Sequence, residues 1–425
     1  MRQTNRRSVL SGMAATFLGA PLAGSLVTPA RAAEGDFRIL GGAVQSFGAS
    51  IAQAWADSHN LKLEYISLDV DSHHTRLFQE ASLAETTVDV SIILNRFLSD
   101  NIVNLFDPLD AYQAANPIEN LDGISAGLRQ AMTYGGKLYG VPFRHATEGL
   151  HMNTALLKER GITEYPKTFE EVLDYAEKLT YKRADGTQVS GLIFEGPTVA
   201  SLSEYYRNFG AEFITPDMQV KADAPEMIAA ITQLQKFFAD GVLPKAFLNF
   251  VPPADTNNLM QQGRAAMIFS PFGRTFVYAD SKASKFPNDM AVIAVPPRAG
   301  HAAPPTKTEF WGYVIPKNST RKDLAWDFIR YMSSLESIVQ MAVQYGNGPV
   351  RPAAYADPRV QKAFTYADAE AAAIANATPP LPGFPQSAKA ADYFTAAVQS
   401  VLIGASSAED AMKDVASQTR ALLKQ

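Results

Sequence analysis

The sequence predicts an α/β fold, and three observations predict it. "DFRILGGAVQSFGASIAQAWADSHNLKLEYISLDV" reads as strand, glycine-rich loop, helix and strand. Phe37, Ile39 and Leu40 run up to Gly41-Gly42, Ile51, Ala54 and Trp55 share one helical face, and "LKLEYISL" alternates. "TTVDVSIIL" then gives a short buried strand, so strands alternate with helices, the pattern of a parallel sheet with crossover helices on its faces. With 425 residues, 47% of them hydrophobic and 19% charged, the chain is long enough for two domains.

The later elements follow in order. "YGGKLYGVPF" predicts a hairpin turned at Gly135-Gly136, and helical signals begin at Asn153. Between them lies a polar run, Arg144, His145, Thr147 and Glu148, which reads as a catalytic site, a ligand site or a solvated loop. "TFEE" offers Thr168 as helix cap with Glu171 as its capping-box partner. "DAPEMIAAITQLQKFFADG" places Asp223 at a cap, Pro225 in the first turn and Gly241 at the stop, with Met227, Ile231, Leu234 and Phe238 at helical spacing. "NSTRKDLAWDFIRYMSS" predicts a capped helix with Leu324, Phe328 and Ile329 inward, and "SAEDAMKDVASQTRALL" closes the chain likewise. The proline-rich stretches "VPPADT", "VPPRAGHAAPP" and "ATPPLPGFPQS" mark loops or crossings.

The N-terminus reads as an export signal. Arg2, Arg6 and Arg7 precede an uncharged run from Ser8 to Ala30, and "ARAAEG" puts Ala30 and Ala32 at the small-residue positions of a cleavage site. "TNRRSVL" is similar to the twin-arginine export motif, departing from it at Asn5 and Val9. Cleavage after Ala32 removes four arginines and no acid, taking the net charge from −5 to −9. An acidic balance with no basic run argues against nucleic acid and anionic membranes as partners. With no cysteine there is no disulfide, no thiolate metal site, no cysteine nucleophile and no lipid attachment at the signal junction. Together these readings place a free protein in the periplasm. No G-x-S-x-G elbow, P-loop or H-E-x-x-H motif occurs. His73 and His74, as neighbours on one element, diverge and do not chelate together.

A series of phrases carries a family resemblance. "YGGKLYGVPF", "LHMNTALLKERGI…YPKTFEEVLDYAEKL", "YYRNFGAEF", "LQKFFADGVLP", "MQQGRAAMIFSPF", "FWGYVIPKNSTRKDLAWDFIRYMSS", "YGNGPVRPAAYADP" and "GASSAEDAMKDVASQ" stand in order over nearly all of the mature chain. They resemble the extracellular solute-binding proteins of ABC importers, family 1, and its maltodextrin-binding members in particular. The resemblance implies a two-lobed periplasmic binding protein fold with discontinuous lobes and a hinge. Residues 1–32 are then the signal, 34–145 with 296–342 lobe one, and 146–295 with 343–425 lobe two. It implies a monomer that holds a sugar or oligosaccharide between the lobes, delivers it to a permease in the inner membrane, and does no covalent chemistry. No metal or other cofactor is expected. A polyamine or ferric-ion carrier of the same fold is the alternative, followed by a secreted enzyme.

Candidate ligand residues follow from strand ends, where α/β folds gather ligands, and from the resemblance. Gln45 and Ser46 lie in the loop after the first strand. Asn95-Arg96-Phe97 stands where sugar-binding relatives carry an acidic or amide residue followed by Arg-Phe. Phe272 stands where a tryptophan is common. Arg144, His145 and Thr147 lie where the resemblance has the chain first cross between lobes. Trp311, beside Gly312, reads as a flat surface for a sugar or as packing. Arg96, Arg144 and Arg351 each read as ligand donor or structural ion pair; together they would suit an acidic sugar. Tyr205 and Tyr206 read as a stacking surface or as the paired tyrosines of ferric-binding relatives. Glu148 reads as a structural partner of Arg144 or a backbone cap, and Trp55 and Trp326 as core.

Overall fold

The computed structural model describes residues 36–42 and 48–424; the signal segment, Gln45 and Ser46 lie outside the described residues. Among the described residues there are twelve strands: β1 Asp36–Gly42, β2 Lys62–Leu68, β3 Val90–Leu94, β4 Thr133–Tyr134, β5 Lys137–Leu138, β6 Val141–Asn153, β7 Tyr181–Lys182, β8 Gln188–Ile193, β9 Ala265–Pro271, β10 Met290–Ile293, β11 Thr306–Val314 and β12 Ala377–Thr378. Ten of them form one hydrogen-bonded path in the order β2-β1-β3-β11-β6-β9-β8-β7, with β10 also on β6 and β12 on β11. β1 pairs parallel with β2 and β3, and β8 parallel with β9, so each half has the parallel unit expected of βαβ connections. All five residues of β3 are buried, which is why "VSIIL" is an apolar run rather than an alternating one.

Two large cores lie on this path. In the first, Trp55 sits 4.7 Å from Phe37 and 5.1 Å from Phe328 between ring centroids. In the second, Phe194 sits 5.3 Å from Tyr205 and 5.7 Å from Phe269. The expected division put residues 343–425 in lobe two. The packing instead joins Val350, Tyr355, Phe364, Ile374 and Ala377 to the first core, and the chain reaches the second from Leu381 and Phe384. The buried faces of short helices such as Pro352–Tyr355 and Ala367–Ala375 decide this, and no composition change marks it.

Local signals largely match the sequence. Tyr134 pairs with Lys137 across Gly135 (φ 55°) and Gly136 (φ 76°), a two-residue turn with both centres left-handed. Thr168 Oγ1 accepts from Glu171 N, and Glu171 reaches back to Lys167 N at 2.6 Å. Two expected caps differ. Ala224 caps the helix Pro225–Ala239, because Asp223 is held by Arg420 at 2.7 and 2.8 Å. Arg321 precedes the helix Lys322–Met332, with no side-chain cap bond.

Candidate functional site

β6 is the strand that both halves share. Val141–Thr147 pair with β11, and from Glu148 onward the strand pairs with β9 and β10. The change of partner falls between Thr147 and Glu148, inside the polar run that the sequence left unexplained. A residue pair in an antiparallel ladder projects to one face, so Arg144 with Trp311, and Ala146 with Glu309, share a face; Glu148 and Lys307 continue it. His145, Thr147, Thr308 and Phe310 occupy the other.

The second face is a clip. His145 donates from Nε2 to Pro349 O at 3.1 Å and contacts Tyr355 Oη at 2.9 Å; Thr147 N donates to its Nδ1 at 3.2 Å. Thr147 Oγ1 lies 2.9 Å from Nδ1 and donates to Thr308 Oγ1 at 2.9 Å. Burial, with the charge of Arg144, lowers His145 to about 3, so the ring is neutral. Its polar atoms are used by the crossing itself.

The first face is charged. Arg96 Nη1 donates to Glu309 at 2.6 Å and Lys307 Nζ to Glu148 at 2.9 Å, both members of the second pair being buried. Burial opposes its charge, but Lys307 and Arg96 hold the Glu309 carboxyl below its usual range. Burial pushes Glu148 up to about 7 against the pull of Lys307. The Arg144 guanidinium carbon lies 4.2 Å from the centre of the Trp311 ring. Arg144 Nε and Nη1, Glu148 Oε2 and Glu195 Oε1 are shielded from solvent without hydrogen-bond partners. Arg274 Nη2 lies 3.9 Å from Glu195 Oε1, and Arg274 and Tyr65 are close enough to act on the charge of Arg144. Glu148 therefore partners Lys307, not Arg144.

Beneath this face, Glu204 accepts from Lys307 N at 2.7 Å. Arg207 donates to Pro379 O at 2.8 Å and to Pro305 O and Thr378 O at 3.4 Å. One buried helix, Val199–Arg207, thus ties down the two later crossings.

Several expected ligand residues have other work. Tyr205 is fully buried and donates to Ala230 O at 3.1 Å, and Tyr206 is fully buried beside it, so neither offers a stacking surface nor a paired metal site. Arg351 is buried and donates to the carbonyls of Ser333, Asn120 and Glu119. Phe272 has no exposed surface; it leaves β9 to enter the first core, 5.6 Å from Tyr366. Asn95 Oδ1 accepts from Phe310 N at 3.0 Å, pinning β3 to β11. A Cβ on Gly312 would stand 2.8 Å from Met132 Cε, on the core side. Trp311 is 9% exposed, with Arg144 against its ring. Of the described candidates, the structure thus brings Arg96, Arg144 and Trp311 together and leaves His145, Thr147, Asn95, Tyr205, Phe272, Gly312 and Arg351 in the scaffold. The sequence reading missed Glu195, Arg274, Lys307, Glu309 and Tyr65. Glu195 and Arg274 follow the carboxyl ends of β8 and β9, so the strand-end rule could have found both. The alternation Lys307, Glu309, Trp311 was also available in "TKTEFW".

A groove of about 420 Å³ between the helices Ser387–Leu402 and Ala408–Leu422 is lined by Tyr393, Asp410 and Gln418, none of them on the crossing strands. Of these three, none has a buried polar atom without a partner, and the groove is not the candidate site.

The family model described as bacterial extracellular solute-binding protein matches residues 50–373. The chain belongs to that family. This solute-binding protein is 24% identical over 382 residues to a probable ABC transporter-binding protein of Deinococcus radiodurans, covering 86% of this chain and 88% of the relative. Among solved structures it is similar to the maltose-bound MalE3 of Thermotoga maritima, with a TM-score of 0.78 at 21% identity over 91% of this chain and 99% of that one. It is also similar to an ABC transporter solute-binding protein of Agrobacterium radiobacter K84 in complex with ribitol, with a TM-score of 0.76 at 20% identity over 92% and 99%. At these identities the likeness is one of fold. The solute-binding protein therefore has the two-lobed fold that the sequence implied.

Proposed function

We propose that this solute-binding protein holds a sugar or polyol over the charged face of β6 and β11 and delivers it to the permease of an ABC importer. It works outside the inner membrane, in the periplasm, and does no covalent chemistry on its ligand. The observation that carries the reading is the change of partner on β6 at Thr147/Glu148. It sets Arg144 on the first half and Glu148 on the second on one face, with unfilled donors and acceptors beside the point where two cores can hinge. Hydroxyl groups both donate and accept, so a polyhydroxyl ligand suits such a mixed set. The ligands named for the structural relatives, maltose and ribitol, support the class.

Thermal-shift screening of the mature protein against sugars and polyols tests the reading. A ligand at 100 times its Kd should stabilise the fold by about 2.7 kcal/mol. The same ligand should reduce the radius of gyration in solution scattering and be recovered unchanged after long incubation. If no sugar or polyol stabilises the protein, the reading fails; chemically altered ligand would reject the claim of binding without turnover.

A further inference from the structure

On and beside the crossing strands, three cations each lie within 4 Å of a carboxylate and a fourth, Arg144, does not. Arg96 lies 2.6 Å from Glu309, Lys307 2.9 Å from Glu148, and Arg274 3.9 Å from Glu195. Arg144 has no carboxylate in such a position among the described residues. Two of its three guanidinium nitrogens, Nε and Nη1, are enclosed without a partner. Arginine cannot discard its proton to escape burial, and here burial with the repulsion of Arg274 lowers it only to about 10. Arg144 is half-buried as a residue, and a charge whose enclosed edges have no counter-charge is unfavourable, which the Trp311 ring offsets only in part.

We propose that Arg144 is the anchor for an acidic sugar, taking its carboxylate on the unpartnered guanidinium edges. This rests on the sugar-binding reading above and narrows it. Nε and Nη1 lie on different edges of the guanidinium, and each edge is shared with Nη2. Either edge can therefore make the two-point contact that fits the two oxygens of a carboxylate. Arg144 is the cation of this group without a carboxylate within 4 Å, and the planar carboxylate of a sugar acid supplies that partner in a way a tetrahedral phosphate does not. The rest of the face suits the body of a sugar. Glu148 Oε2 and Glu195 Oε1 are enclosed acceptors without donors, which ligand hydroxyls can fill. Arg96 and Arg351, the other arginines that suggested an acid from the sequence, do not serve: one is paired with Glu309 and the other is occupied by backbone carbonyls.

The test is calorimetry on the mature protein and on Arg144→Leu and Arg144→Lys. The probes are uronates and aldonates, each beside its neutral parent sugar or polyol, with glucose 6-phosphate as the dianion. The wild type should bind at least one acid roughly tenfold to a little over a hundredfold tighter than its neutral parent, the ratio expected for hydrogen bonds to a charged group. Arg144→Leu should abolish that ratio, and Arg144→Lys, which keeps the charge but loses the fork, should restore only part of it. Without ligand, Arg144→Leu should melt no lower than wild type. Four results overturn the proposal: neutral parents binding as tightly as the acids, a preference that survives in Arg144→Leu, tighter binding of the phosphate, or a ligand-free Arg144→Leu that melts well below wild type. Neutral binding without preference leaves the sugar reading standing; no binding by any probe removes both.

Discussion

Trp326 is 2% exposed, donates from Nε1 to Asn116 O at 2.8 Å and lies 5.9 Å from the Tyr112 ring. Trp326→Ala should therefore lower stability by about 3–5 kcal/mol, as large aromatic truncations in cores do, and leave ligand affinity in the folded fraction unchanged. Denaturant unfolding with binding measured on the same variant checks this; full stability would show that the side chain is not core. Its role was readable, because an apolar residue at helical spacing has one place to go. Arg351 and Tyr205 were not readable. Both have polar groups fit for a ligand, yet their partners are carbonyls distant in sequence, such as Asn120 O for Arg351 and Ala230 O for Tyr205.

Helix Phe169–Lys178 packs onto β8 at Gly191, where a Cβ would stand 1.8 Å from Ala176 O, a backbone atom that cannot swing aside. Gly191→Ala should force the helix off the strand and cost about 1–3 kcal/mol or more, the range for overpacked cores. Thr168→Ala, at the cap of the same helix, should cost about 1 kcal/mol by losing the bond to Glu171 N. Urea midpoints of the two variants give the comparison, and a Gly191→Ala as stable as wild type would mean that the helix sits elsewhere. The cap was legible as Thr-x-x-Glu within four residues. The glycine was not, since nothing in "VSGLIF" tells which residue a helix will touch. The misplaced cap at Asp223 has the same cause: Arg420 lies 197 residues away and takes the carboxylate.

Across the whole molecule, buried ionisable groups set how stability depends on pH. Burial pushes Glu204 and Glu370 up to about 8, from 4.5. Between those values the folded chain keeps protons that the unfolded chain releases, so their contribution is full below pH 4.5 and is lost as pH rises to 8. Burial lowers His73 and His145 to about 3 and His151 to about 4, from 6.5. There the unfolded chain binds the extra protons, and stability is lost as pH falls from 6.5 toward 3. The two trends oppose each other between 4.5 and 6.5. The melting temperature should be nearly level in that window and fall on both sides. Glu370→Gln should flatten the alkaline arm. A melting temperature that climbs from pH 6.5 to 8 in the wild type would contradict these assignments.

The sequence by itself determined the α/β class, the order of elements and the family, because each rests on periodicity, caps and phrases within a few tens of residues. It also singled out Arg144 to Glu148 as an anomaly. Only the tertiary structure decided that β6 changes partner inside that run, that residues 350–377 pack with the first core, and that Arg96 and Lys307 are matched while Arg144 is not. The physical reason is distance along the chain. Lys307 is 159 residues from Glu148 and Glu309 is 213 from Arg96. Which charge is left over depends on which strands become neighbours, and a linear pattern does not carry that information.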